Sequence, residues 1–272
     1  PPDLPPTARP ALLRRYGALL AELAGRFWTG GDVGTTSRDM DVIAETGAPY
    51  VFSRTPERGG AGGSGEWTAL GVFSAIEAVC ERLFGDPSPF GRRVAVQGAG
   101  SVGGALVEKL TAAGARVAVA DPNEALVRGL AERWGAERRA PQELLETPAD
   151  LLAPCALGRI LDAASIPRLA VRGVVGAAND QLATPGDSER LRASGVLYAP
   201  DFVVNAGGAV AITGIEALGW TRERAREAVR SIGATLRVVF ARADAEGITT
   251  DAAARRIAEE RLRAGVGQPG GR

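Results

Sequence analysis

The sequence predicts an α/β protein with a doubly wound parallel sheet, and three features lead there. Short apolar runs alternate with helical segments between residues 93 and 200. A glycine-rich turn, Gly98-Ala99-Gly100-Ser101-Val102-Gly103, joins the first of these runs to the helix after it. Beyond residue 207 the alternation stops and long helical periodicity takes over. Strands that alternate with helices imply a parallel sheet covered on both faces.

Composition sets the class. The 272 residues suffice for one or two domains with a sizeable core. Hydrophobic residues at 45% and charged residues at 24% are the proportions of a soluble globular protein. The 32 basic and 32 acidic residues cancel, so net charge draws the chain toward neither nucleic acid nor a membrane. No apolar run approaches the ~20 residues of a membrane span, and no signal peptide is visible. Cys80 and Cys155 give neither a disulfide framework nor metal-ligand spacing; they read as small buried residues in a reducing cytoplasm. Histidine is absent, which removes His-based triads and the commonest zinc sites, and Lys109 is the one lysine. The lead-in Pro1-Pro2-Asp3-Leu4-Pro5-Pro6 has no initiating methionine and reads as extended chain.

The elements follow in order. Residues 11–24 read as an amphipathic helix with Leu12, Tyr16, Leu19, Leu20 and Leu23 on one face, Pro10 in its first turn and Gly25 at its end. Residues 29–65 are rich in Gly, Thr, Ser and Asp and read as ordered loops around short elements. Their glycine-rich tail, residues 58–65, is either a linker or a loop lining a cleft. A helix is expected from about Trp67 to Leu83. Strands are expected over residues 93–97, 116–120, 151–155, 173–178 and 196–200. Helices over residues 207–218 and 221–246 carry Ala225, Val229, Ile232, Leu236, Val239 and Ala243 at three- and four-residue spacing, and a last helix covers about residues 251–263. These last helices are expected to leave the sheet domain and pack back against the N-terminal portion.

The glycine turn stands after a strand and opens a helix, the context that gives such a motif meaning. Gly98 permits the tight turn, Gly100 leaves room for a pyrophosphate, and Gly103 lets the helix press on the sheet. Free N–H groups at the helix start, including those of Ser101 and Val102, suit phosphates. Asp121 ends the second strand at the distance expected of a ribose-binding acid. Its carboxylate accepts bonds from ribose hydroxyls and repels a 2′-phosphate, and no arginine follows at Pro122 or Asn123. A Rossmann-type unit that favours NAD over NADP is the reading.

Further segments carry a resemblance. They are Trp28-Thr29-Gly30-Gly31-Asp32-Val33-Gly34-Thr35 with Asp39-Met40-Asp41, then residues 57–63, Ala153-Pro154-Cys155-Ala156-Leu157-Gly158, Gly176-Ala177-Ala178-Asn179-Asp180-Gln181-Leu182, and Tyr198-Ala199-Pro200-Asp201-Phe202-Val203-Val204-Asn205-Ala206-Gly207-Gly208. In this order, with the glycine turn, they resemble the glutamate/leucine/phenylalanine/valine dehydrogenase family over about residues 12–263. Within the family they look closest to actinobacterial phenylalanine dehydrogenases, with valine and leucine dehydrogenases close behind.

The resemblance implies NAD-dependent oxidative deamination of an L-amino acid to a 2-oxo acid and ammonia, in a cytoplasmic homo-oligomer. It makes Asp32 the proton-carrying carboxylate, tuned by burial. It gives Asn205 a contact to the substrate near the nicotinamide, Asn179 a contact to the nicotinamide ribose, and Thr68 one near the nicotinamide amide. Gly30 borders the side-chain pocket, where its small size leaves room for an aromatic ring. Cys155 and Ala156 shape the cofactor path. The implied domains are residues 1–66, the C-terminal part of a substrate domain; residues 67–206, the NAD-binding domain; and residues 207–272, helices returning to the first domain. The family's catalytic lysines belong upstream of the Asp32 motif, and Lys109, inside a helix, does not match them. From this follows the expectation of dinucleotide binding with little turnover by these residues alone, and the alternative of a non-catalytic NAD-binding relative.

Overall fold

The computed structural model describes residues 7–265; the proline-rich lead-in lies outside them. Contacts divide the chain into two units, residues 1–67 with 208–229, and residues 68–207 with 230–272.

The first unit begins with two helices, α1 (Arg9–Glu22) and α2 (Ser37–Gly47). They cross closely because glycines meet. A Cβ on Gly17 would lie 2.2 Å from the Ile43 carbonyl oxygen, and one on Gly47 would lie 3.0 Å from Gly17 Cα. This crossing decides which face of α1 is buried, and it is not the expected one. Leu20 packs with Met40, Ile43 and Val51 and with half-buried Leu13, while Leu12, Tyr16, Leu19 and Leu23 stay exposed. The apolar spacing of α1 is helical as expected; the glycine contact rotates the burial toward Gly17 and Leu20.

α2 starts at a capping box, in which the Thr36 side chain accepts the Asp39 N–H and the Asp39 carboxylate accepts the Thr36 N–H. Arg9 then pairs with that carboxylate at 2.9 Å. A short bridge, Thr29 to Val51, holds the segment that follows α1 against the one that follows α2, and Trp28 stacks on Phe52 beside it.

The glycine-rich stretch is an ordered loop, not a flexible linker. Gly60 and Gly62 donate to Thr55 and Arg54 carbonyls, and Ala61 is buried. Its last residues already belong to helix α3 (Ser64–Phe84).

The second unit is built on a parallel sheet of six strands in the order β3-β2-β1-β4-β5-β6. These are β1 (Arg93–Gln97), β2 (Arg116–Ala120), β3 (Glu137–Arg138), β4 (Leu151–Pro154), β5 (Gly173–Val174) and β6 (Leu197–Tyr198). Helices α4 (Ser101–Ala112), α5 (Glu124–Trp134) and α6 (Asp187–Ala193) connect them, and α7 (Asp201–Val204) follows β6. The centre of the sheet is dry. Val94, Ala95, Val96, Val119, Leu151, Leu152, Ala153 and Val174 are all buried, as a sheet covered on both faces requires. The doubly wound α/β class is thus the observed one. Strand order reverses between β1 and β4, the switch point at which such sheets bind ligands.

Among the described residues three helices follow: α8 (Gly207–Glu216), α9 (Arg222–Glu246) and α10 (Thr250–Arg263). Of these C-terminal residues, 208–229 belong to the first unit. There the Glu216 carboxylate, with its side chain 1% exposed, accepts the N–H groups of Ser53 and Ala61 and faces Arg54 Nε at 3.3 Å. Residues 230–265 group with the sheet. Val239, Ala243, Ala253 and Ala254 form one cluster with Val203, Arg237 pairs with Glu81, and Thr250 donates to the Tyr198 carbonyl. Arginine carries the ion pairs of this end: Arg242 meets Glu246 and Glu260, and Arg256 meets Glu246. No helix among the described residues is long and apolar enough to cross a membrane.

Candidate functional site

In the second unit the conspicuous residues gather at the carboxyl edge of the sheet. β1 ends at Gln97 and the chain turns at Gly98, whose φ of +100° suits only glycine. A Cβ there would sit 2.9 Å from Ala156 Cβ. Gly103 is equally constrained: its Cβ would lie 1.9 Å from the Gly98 carbonyl oxygen. Gly100 differs, for a Cβ on it would meet nothing within 4 Å. Two glycines therefore close the turn on itself while the third faces open space. Gly100 is also the N-cap of α4 and offers no side-chain cap, so the helix start presents backbone N–H groups and a positive dipole end to that space. These residues fit the pyrophosphate of a dinucleotide: the space is clear where a Cβ would stand, and the donors there are neutral N–H groups.

Asp121 follows β2 and is tied to the same turn. Its Oδ2 accepts the Ala99 N–H at 2.8 Å and its Oδ1 accepts the Asn123 N–H at 2.8 Å. The carboxylate is thereby fixed beside the glycine loop. One feature here was not anticipated from sequence. The cavity along Asp121, about 800 Å³, is also lined by Arg138 and Arg139. They reach it because β3 pairs with β2, Arg138 lying opposite Val119. The expectation that no arginine attends Asp121 holds along the chain and fails across the sheet.

Cys155 and Ala156 follow β4 and back the glycine turn, with Cys155 Cβ 3.5 Å from the place of a Gly103 Cβ. Burial pushes the Cys155 thiol up to about 11, against the Ala177 N–H that favours the thiolate. It is a protonated, space-filling group at neutral pH.

The loop after β5 carries Asn179. Asn205, at the end of α7, donates from Nδ2 to Asn179 Oδ1 at 2.6 Å. Beneath them Gln181 is fully buried, and its Nε2 donates to the carbonyls of Gly176 and Ala178 at 2.9 and 3.0 Å. Asp201 accepts the Gln181 N–H at 2.8 Å. Gln181 and Asp201 were not singled out from sequence, although both lie inside motifs that were; nothing in their spacing marks a buried amide bracing a loop. Strain collects at the same place. Arg159 and Asp180 hold φ of +56° and +50°, and the Arg159 N–H donates to the Asp180 carbonyl. Non-glycine residues in this region cost on the order of 1–2 kcal/mol each. Thr68 is buried in the same unit, at its first residue. Lys109 is half-buried on α4.

In the first unit Asp32 opens a tight turn. Its Oδ1 accepts the Val33 N–H at 2.7 Å, its N–H donates to Thr35 Oγ1 at 2.8 Å, and its carbonyl accepts from Thr35. Asp32 is exposed, so the expected burial is not found; the turn of residues 32–35 projects it toward solvent. Gly30 is exposed too, and a Cβ there would lie 3.6 Å from Phe52 Cβ and Ser53 Oγ, ordinary contact.

A parallel sheet with a glycine-rich crossover and an acid fixed beside it defines a dinucleotide-binding protein of the Rossmann type. Comparison with known proteins narrows this. The family model for Glutamate/Leucine/Phenylalanine/Valine dehydrogenase matches residues 59–129 and 122–265, and this chain belongs to that family. A valine dehydrogenase of Streptomyces coelicolor is 42% identical over 258 residues, spanning 92% of this chain and 69% of the relative. A leucine dehydrogenase of Geobacillus stearothermophilus is 38% identical over 252 residues, spanning 93% and 68%. Among solved structures, L-tryptophan dehydrogenase from Nostoc punctiforme superimposes with a TM-score of 0.77 at 37% identity, covering 94% of this chain and 73% of that one. The hetero-hexameric glutamate dehydrogenase from Thermus thermophilus does so with a TM-score of 0.76 at 28% identity, covering 97% and 71%. The protein is an amino-acid dehydrogenase, of a group that uses nicotinamide dinucleotides. Its similarity to the Streptomyces enzyme sets it near actinobacterial valine dehydrogenases.

Proposed function

We propose that the enzyme oxidatively deaminates an apolar L-amino acid, phenylalanine-like or branched-chain, to a 2-oxo acid and ammonia, with NAD as the hydride acceptor. The observation that carries the cofactor reading is the Asp121 carboxylate bonded to Ala99 inside the glycine turn. That placement leaves lone pairs for ribose hydroxyls while Gly100 keeps the pyrophosphate space clear. When bound, NAD takes the hydride from the substrate α-carbon.

The chain's own residues bind, orient and carry protons. The N–H groups at the start of α4, those of Ser101 and Val102 among them, hold phosphate oxygens. Asn179 holds the nicotinamide ribose, and Thr68 bounds the nicotinamide. Asn205, oriented by its bond to Asn179, hydrogen-bonds the substrate. Asp32 carries protons among water, ammonia and the tetrahedral carbinolamine, and its exposure lets it exchange them with solvent. Gly30 borders the substrate side chain, and Cys155 and Ala156 support the cofactor loop. Residues 1–67 with 208–229 serve as the substrate side, and residues 68–207 with 230–265 as the NAD side.

The substrate class draws support from relatives that act on valine and leucine and from a fold neighbour that acts on tryptophan. A homo-oligomer is proposed by analogy with the Thermus enzyme, a hexamer of mixed subunits. A cytoplasmic location fits two free cysteines. The test is NADH formation, against a panel of L-amino acids, by the protein joined to a family-like upstream segment that carries the catalytic lysines. We expect turnover with phenylalanine, leucine or valine well above that with glutamate. Equal or better rates with glutamate would overturn the substrate class, and failure of saturable NADH binding would overturn the cofactor reading.

A further inference from the structure

The cavity beside Asp121 holds charge that ribose binding does not use. Asp121 and Glu124 supply two carboxylates to its lining, and Arg138 and Arg139 supply two guanidinium groups. Arg139, the residue after β3, is engaged by Glu137. Arg138 is exposed, and among the described residues it makes neither an ion pair nor a side-chain hydrogen bond. Its place is fixed by the sheet, because backbone pairing sets it opposite Val119, two residues before Asp121. Asp121 is fixed as well, by the N–H groups of Ala99 and Asn123. A free guanidinium and an anchored carboxylate thus share one cavity at the carboxyl edge of the sheet, where the adenosine ribose of a dinucleotide belongs.

We propose that Arg138 makes this cavity a phosphomonoester subsite that takes the 2′-phosphate of NADPH, so that the enzyme binds both reduced dinucleotides, NADH the more tightly. The proposal rests on the dinucleotide reading above. The planar guanidinium matches phosphate oxygens and stays charged at any physiological pH. Asp121 and Glu124 repel the same phosphate, which keeps NADPH the weaker ligand. The contact is exposed, so salt screens it, and the gap between the two ligands depends on ionic strength.

Calorimetric or fluorescence titration of the protein with NADH and with NADPH tests this. The expected result is saturable binding of both. Arg138→Ser weakens NADPH by about five-fold, the upper range for one exposed charged contact, and changes NADH by less than about two-fold. Arg138→Lys restores part of the NADPH affinity, and Glu124→Gln raises it. Saturable NADH binding with none for NADPH overturns the proposal and leaves the dinucleotide reading standing. Equal loss of both ligands in Arg138→Ser also overturns it, because the residue then acts on the fold or on the whole site. Failure of NADH to bind the unsubstituted protein overturns the dinucleotide reading and this proposal with it.

Discussion

Asn205 and Asn179 are joined directly, side chain to side chain, at 2.6 Å. The bond fixes which way each amide points: Asn205 gives its N–H to Asn179 and keeps its own oxygen free as an acceptor. Asn205→Ala is expected to lower amino-acid oxidation much more than NADH affinity, and Asn179→Ala to weaken NADH by about 1 kcal/mol, the net worth of one hydrogen bond. Parallel measurement of kcat/KM and NADH dissociation constants for the two variants checks this; equal effects on both quantities would refute the division of labour.

Gly100 and Gly103 should separate binding from folding. A methyl group on Gly100 meets nothing within 4 Å, whereas one on Gly103 lands 1.9 Å from a carbonyl oxygen. Gly100→Ala is expected to keep its melting temperature and lose most NADH affinity. Gly103→Ala is expected to lose stability by about 1–3 kcal/mol, as overpacked sites do. Denaturant melts alongside NADH titrations distinguish the two.

Gln181 braces the loop that carries Asn179. Gln181→Leu would leave the Gly176 and Ala178 carbonyls without the amide that now serves both. Buried groups left unpaired cost about 1–3 kcal/mol each, so we expect a loss of a few kcal/mol. The signature is a lower urea midpoint together with faster hydrogen exchange over residues 176–181. Unchanged exchange there would show that the loop holds itself.

The acid side of stability should depend on Asp39. The Arg9 guanidinium and the Thr36 donors hold its carboxyl down to about 2. A carboxyl lowered on folding stabilises the native state above its unfolded value near 4, and that contribution disappears as pH falls through about 2. Asp39→Asn should cost about 1 kcal/mol at neutral pH after screening, with the difference from the parent shrinking between about pH 4 and pH 2. Melting temperatures across that range provide the check.

Gly30→Ala should shift substrate preference from phenylalanine toward leucine or valine. The added methyl fits its surroundings at 3.6 Å, so the variant should fold, and any change belongs to the substrate. An unchanged ratio of kcat/KM for phenylalanine over valine would exclude Gly30 from the pocket.

The centre of this sheet could be read directly from the sequence, because β1 and β2 each carry a Val-Ala-Val run that is buried. β3 could not. Its two residues, Glu137 and Arg138, are charged and exposed, and only backbone pairing with Ala118 and Val119 makes them a strand. The same blindness hid the arginine beside Asp121, since a contact across an edge strand leaves no mark in local spacing. The face of α1 was misjudged for a related reason: apolar periodicity shows that a helix has a face, but the Gly17–Gly47 contact chooses which one is covered. The glycine turn was legible because its chemistry is local. The Asn205–Asn179 bond was not, because it joins the end of α7 to the loop after β5.

The ion pairs of Arg242, Glu246, Arg256 and Glu260 join guanidinium groups to carboxylates, and the charge of the whole chain comes almost entirely from these two kinds of group. With no histidine and equal numbers of acids and bases, the chain has few side-chain types whose ordinary values fall between the carboxylates near pH 4 and the weak acids above pH 8. The two thiols, pushed up to about 11 by burial, widen that gap. The protein is therefore a poor buffer with a flat isoelectric plateau instead of a sharp isoelectric point. Its electrophoretic mobility should stay close to zero across neutral pH, and colloidal repulsion between molecules should be weak over the same span.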